Sequence, residues 1–220
     1  MHSVQSLLTS ITATVALTLS VPNTSWADDP IPVVATFSVL GDMVKRIGDE
    51  HISLTTLVGA DGDTHVYQPT PQAARVVAEA DVLFINGLGF EGWLERLVEA
   101  APFAGSLVVA TTGIEPIAFG DHDDHEEGHE EGHEEGHEEA TDHHGEHGAF
   151  DPHAWHSFTN AIIYANNIAA GLAQVDPTNA GFYYQNHQIF VNEIRVLKAE
   201  ADVIMAALPI DKRTVVTPHD

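Results

Sequence analysis

Cysteine is absent from this 220-residue chain. Its absence excludes disulfides, thiolate metal sites and, within these residues, a cysteine that could carry lipid. Positive charge is scarce: 8 Lys and Arg stand against 33 Asp and Glu, a formal −25. So acidic a surface repels nucleic acid and anionic membrane, which excludes both as partners and leaves cations as the natural ones. The longest apolar stretch, 4–21, is too interrupted by Ser and Thr to make a comfortable membrane span. No Gly-x-x-x-x-Gly-Lys-Ser/Thr phosphate loop occurs, so the chain is not an ATPase. Any metal site must therefore be built from histidine and carboxylate.

What is present begins with that first stretch. It ends near Pro22, and Ser25-Trp26-Ala27 offers a small-x-small cleavage site ahead of Asp28. This predicts a secretory signal peptide over 1–27, although no Lys or Arg precedes Lys45. A leader without a lipid-bearing cysteine or a second apolar span implies a soluble, unlipidated protein released into a periplasm. The remaining length can bury a sizeable core, and the 44% hydrophobic content is ordinary for a globular protein.

Strand and helix patterns then alternate. Short β-branched or apolar runs at 31–37, 52–58, 81–86 and 106–110 predict strands. Helical spacing predicts helices at 38–50, with Val39, Met43, Val44 and Ile47 on one face, at 71–80 and at 91–101. Thr70 before Pro71 reads as an N-cap followed by proline at the first helical position. Alternation of this kind predicts an α/β fold on a parallel sheet covered on both faces. In such sheets ligands bind beyond the carboxyl ends of the strands. Further helices are expected at 160–173 and, after a break at Pro177, at 178–207, with an apolar stripe of Phe182, Ile189, Ile194, Leu197 and Val203. A helix that long reads as a strut between two lobes, and 212–217 reads as the first strand of another α/β unit that stops at Asp220. The expected domains are thus a lobe over 28–157, helices over 158–207 that include the linking helix, and the start of a truncated second lobe over 208–220.

Residues 121–147 break the pattern with 13 acids, no base and almost nothing apolar. This low-complexity segment cannot bury a core. Eight of the fifteen histidines lie in it: His122, His125, His129, His133, His137, His143, His144 and His147. Acidity alone does not require histidine, so the segment is expected to hold auxiliary, exchangeable, low-affinity metal. Its overlapping His-Glu-x-x-His frames do not mark a protease. Each carries a glycine and lacks the apolar neighbours that would seat such a helix.

Three other histidines share a placement. His65 lies in the loop between a strand and the Pro71 helix, His153 in Asp-Pro-His-Ala-Trp just ahead of a helix, and His219 directly after Val215-Val216-Thr217-Pro218. Three converging imidazoles would supply three of zinc's four ligands. His2, His51, His156 and His187 have no such placement and read as leader, surface or core-edge residues.

Four stretches together resemble the zinc-specific solute-binding proteins of bacterial metal ABC transporters. They are Val33-Val34-Ala35-Thr36-Phe37-Ser38, the Gly-Ala-Asp-x-x-x-His-x-Tyr-x-Pro-Thr-Pro loop at 59–71, Asp-Pro-His-Ala-Trp at 151–155, and Val-Val-Thr-Pro-His-Asp at 215–220. The acidic His-rich insertion is similar to that of the family's zinc members. The resemblance implies two parallel-sheet lobes joined by a long helix, a Zn²⁺ site in the cleft between them, and delivery to a membrane permease by a monomer that is not an enzyme. It maps the ligands onto His65, His153 and His219. Related manganese proteins place a carboxylate where His219 stands, which points here to zinc. The family's fourth ligand, Asp or Glu, would fall beyond Asp220, with Asp61, Asp63 or water as possible substitutes. A zinc buffer or adhesin without a permease is the main alternative. A zinc hydrolase is a weaker one, because no motif outside 121–147 supplies a general base.

Overall fold

A computed structural model describes residues 29–118 and 149–213. Four strands, β1 (Ile31–Phe37), β2 (Ile52–Val58), β3 (Val82–Ile85) and β4 (Ser106–Val109), form one parallel sheet in the order β2-β1-β3-β4. Between them run α1 (Ser38–Gly48), α2 (Pro71–Ala78) and α3 (Leu94–Ala100), and beyond them α4 (Phe158–Val175) and α5 (Ala180–Ala207). The α/β class and the parallel sheet expected from the alternation are both present.

Burial explains why the central strands lack polar alternation. Every residue of β3 and residues 33–37 of β1 are buried, because helices cover both faces. The edge strands β2 and β4 keep partly exposed positions. Right-handed crossovers place α1 on one face as the chain steps from β1 to β2. They place α2 and α3 on the other as it returns past β1 to β3 and β4. Helices α1, α4 and α5 pack on one another, and α2 packs on α3.

The local signals act as their chemistry requires. Thr70 Oγ1 accepts the Ala73 N–H at 3.1 Å, capping α2 with Pro71 in its first turn. Between α4 and α5, Asp176 accepts from the Asn179 side chain at 2.8 Å and from the Tyr183 hydroxyl at 2.6 Å, which fixes where α5 begins. The α4 helix lies so close to the sheet that Gly171 has no room for a side chain. A Cβ there would sit 2.8 Å from Val108 Cγ2 and 3.1 Å from Phe84 Cε1. Gly171→Leu is expected to cost about 2–3 kcal/mol by overpacking, read as a lowered urea midpoint with an unchanged slope.

Three expectations need correction. The apolar stripe of α5 is not buried along its length. Its N-terminal half packs through Tyr183, Val191 and Ile194, whereas Ile189, Leu197 and Val203 are exposed. Helical period reports a face, but whether that face is covered depends on the elements beside it. In α1, Leu40 rather than Val39 joins Met43, Val44 and Ile47 in the core. Near the C-terminus Ile210–Lys212 is a single helical turn, so the expected strand does not begin at Lys212. Residues 214–217 of that strand lie outside the described residues.

Candidate metal site

Strand order reverses between β1 and β3, and the crevice outside their carboxyl ends is where such sheets bind ligands. An open cleft of about 470 Å³ lies there, lined by Phe37, Ser38, residues 60–65, Phe90, His153, Trp155 and His156. A larger groove of about 670 Å³ flanks α2 and α3, but Glu79 is its single carboxylate and no histidine lines it. The chemistry is in the first cleft.

Two of the expected ligands meet there. His65 comes from the β2–α2 loop and His153 from the segment before α4, and their Nε2 atoms stand 3.2 Å apart. Two nitrogens on one tetrahedral zinc, each about 2.0–2.1 Å from it, would lie about 3.3 Å apart. The same turn presents both histidines. Asp63 Oδ1 accepts the His65 N–H and Asp151 Oδ1 accepts the His153 N–H, each at 2.9 Å. Asp-x-His is thus a compact way to aim an imidazole, the carboxylate bracing the backbone two residues on.

Asp151 does more. Its Oδ1 also lies 2.8 Å from His153 Nδ1, where it accepts the ring proton and leaves the Nε2 lone pair facing His65. Burial by itself would raise the Asp151 carboxyl. The His153 N–H and ring outweigh that and hold it below the ordinary carboxylate value. Asp151→Asn replaces the charged acceptor of the ring proton with a weaker, neutral amide oxygen, so affinity for a divalent metal is expected to fall about 10- to 100-fold in a competitive titration.

Behind the histidines lies a network that sequence reasoning missed. The fully buried Asn86, just past β3, donates through Nδ2 to the Pro152 carbonyl at 2.9 Å and accepts the Tyr164 hydroxyl at 2.5 Å. Glu91, also buried, accepts from the Thr36 hydroxyl at 2.6 Å and from the N–H groups of Asn86 and Gly87 at 2.7 and 3.1 Å. Burial is the largest influence on the Glu91 carboxyl and pushes it above its ordinary value against those three donors. Trp93 donates its indole N–H to the Thr64 carbonyl at 2.8 Å. The available signal was Asn86-Gly87-Leu88-Gly89 at a strand's carboxyl end, a polar, glycine-rich turn where an apolar run stops.

His156, read from sequence as unplaced, lines the same cleft, its ring 6.4 Å from that of His153. His51 packs edge-on against Phe182 at 4.3 Å, and His187 faces Asn166 Oδ1 at 2.6 Å, so both belong to the packing. Among the described residues no third His, Asp or Glu joins the pair to form a metal-holding group, and Asp61 and Asp63 do not fill that place. His219 and the eight histidines between 121 and 147 lie outside the described residues, as does the segment read as a signal peptide.

Sheet order and cleft define an α/β protein that presents paired nitrogen donors at the switch point of its sheet. The chain belongs to the family described as zinc-uptake complex component A, periplasmic (ZnuA), whose model matches residues 33–220. It is 31% identical over 197 residues to the manganese ABC transporter substrate-binding lipoprotein PsaA of Streptococcus pneumoniae, covering 87% of this chain and 56% of that protein. Among solved structures it is similar to the Mn-bound periplasmic metal binding protein of Candidatus Liberibacter asiaticus. That likeness has a TM-score of 0.66 and 29% identity over 82% of this chain and 59% of the other. Zn(II)-bound AdcA from Streptococcus pneumoniae shares the fold, with a TM-score of 0.61 at 20% identity over 79% of this chain and 32% of that one. The chain spans 56–61% of the length of the curated relatives it matches. Several of those relatives are named lipoproteins, which runs against the expectation of an unlipidated protein.

Proposed function

We propose that this chain belongs to the extracytoplasmic substrate-binding component of a metal ABC transporter, a binder rather than an enzyme, and that its cargo is Zn²⁺. His65, His153 and His219 hold the ion, which passes to a membrane permease. The supporting observation is the pair of Nε2 atoms 3.2 Å apart, with Asp151 behind one of them. Nitrogen donors favour zinc, whereas manganese prefers more oxygen. The relatives speak for the metal-transport class without choosing the ion, since manganese proteins stand among them.

In this reading 1–27 directs export, 28–157 forms the first lobe, 158–207 carries the linking helix and 208–220 enters a second lobe, all in a monomer. The histidines of 121–147 gather zinc at low supply. The described residues on either side of that segment are joined by the Ala118–Phe150 bridge, three residues from His153. Because imidazole binds metal only when deprotonated, affinity falls on acidification.

Competition between Zn²⁺ and Mn²⁺ for the chain lacking 121–147 tests the choice of ion. Zinc is expected to displace manganese by at least about 100-fold in affinity, following ligand softness and the general order of metal affinities. Equal or stronger manganese binding would return the protein to the manganese branch of its relatives.

A further inference from the structure

His65 and His153 lie 88 positions apart in sequence, on separate loops, yet their ring nitrogens meet at 3.2 Å. Something must set that spacing before an ion arrives. Each histidine ends an Asp-x-His turn, and in each turn the middle residue offers its carbonyl to the same short segment. Trp93 donates to Thr64 O at 2.8 Å, and Asn86 donates to Pro152 O at 2.9 Å. Between those two clasps Phe90 packs edge-on against both rings, its centroid 4.9 Å from His65 and 5.9 Å from His153.

The segment is itself held rigidly. Glu91 folds back to accept the N–H groups of Asn86 and Gly87, and the Phe90 N–H bonds to Gly87 O at 3.1 Å. Gly87, Leu88 and Gly89 all have positive φ, at 89°, 57° and 79°. At Gly87 a Cβ would come within 2.7 Å of Val109, so the turn closes tightly on β4. Asn86, Phe90, Glu91 and Trp93 are all buried.

We propose that the 86–93 segment is a positioning bracket: by clasping Thr64 O and Pro152 O it sets the His65–His153 spacing, and with it ion residence time and coordination geometry. The proposal rests on the reading that these two histidines hold the ion. None of the bracket residues touches metal. Their role is to remove the cost of ordering two loops at each capture, which is the advantage of preorganisation.

The test uses the chain lacking 121–147, loaded with Zn²⁺ and, separately, with Co²⁺, whose visible absorption reports coordination geometry. Trp93→Phe keeps an aromatic ring but deletes the donor to Thr64. Phe90→Leu keeps an apolar side chain but deletes the shared ring. Both are expected to weaken zinc about 10- to 100-fold, to speed its dissociation and to change the Co²⁺ spectrum. Leu83→Ala, which truncates the core of β3 away from the cleft, is expected to lower the melting temperature while leaving affinity and spectrum unchanged. Wild-type affinity and spectrum in both bracket variants would overturn the proposal. So would an equal loss of affinity in Leu83→Ala, since the effect would then be one of general stability. Cobalt and zinc binding that survives unchanged in His65→Ala would instead remove the histidine-pair reading itself.

Discussion

Removing both cleft histidines, as His65→Ala with His153→Ala in the chain lacking 121–147, is expected to weaken Zn²⁺ binding by at least about 1,000-fold. The size follows from the chemistry of the ion. Zinc bound by four protein ligands in small peptides gains about 10–16 kcal/mol at neutral pH, so each ligand carries several kcal/mol, and water replaces an imidazole poorly. Both rings sit at the cleft surface, His65 exposed and the His153 side chain 15% exposed. Their truncation should therefore leave the core intact. Unfolding midpoints are expected to stay within a few degrees of wild type while competitive titration with a chromophoric chelator shows the loss. Tight zinc binding retained in the double variant would place the site elsewhere in the remaining chain, whereas weak binding already present with both histidines intact would make the buffer role of 121–147 the leading account.

A large, pH-dependent change in stability is expected at a buried residue behind the cleft. Glu91→Gln should destabilise the fold by about 2–3 kcal/mol near pH 4. All the partners of Glu91 approach as donors: the Thr36 hydroxyl and the Asn86 N–H on Oε1, and the Gly87 N–H on Oε2. The nitrogen lone pair of a glutamine amide is delocalised into the carbonyl and accepts no hydrogen bond, so whichever way the amide turns it sets an N–H against a backbone N–H. A protonated carboxyl avoids this, because the Thr36 hydroxyl can turn to accept its proton. The pH dependence has a definite sign. Burial raises the Glu91 carboxyl in the folded state. The stabilisation it provides is therefore full below the unfolded value of about 4.3 and is lost as pH rises through the raised folded value. The stability gap between wild type and Glu91→Gln should be widest near pH 4 and narrow as pH rises. Subtracting the variant's profile also cancels the opposite contribution of Asp151, whose lowered carboxyl loses its stabilisation as pH falls. A gap that widens toward high pH would show that the donors, not burial, govern Glu91.

The amino-acid sequence by itself determined a good deal. Alternating apolar runs specified the parallel α/β class, because a strand buried on both faces has no polar side to show. Thr70-Pro71 marked the start of α2, since capping and proline preference act within a few residues. The loops that carry His65 and His153 were also legible, because each stands just ahead of a helix, although the Asp-x-His turns that aim the rings came only with the structure. What the sequence could not reveal was contact between distant segments. Nothing in the local pattern states that Asn86 reaches Pro152, that Trp93 reaches Thr64, or that His156 lines the same cleft, since those neighbours are set by the crossovers that bring β1 and β3 side by side. The same reason explains the exposed part of the stripe on α5, where Leu197 and Val203 have helical period but no described element covers them. Local propensity and periodicity are properties of a stretch of chain, whereas burial and the spacing of two imidazoles belong to the packed sheet, and only the tertiary structure decided those.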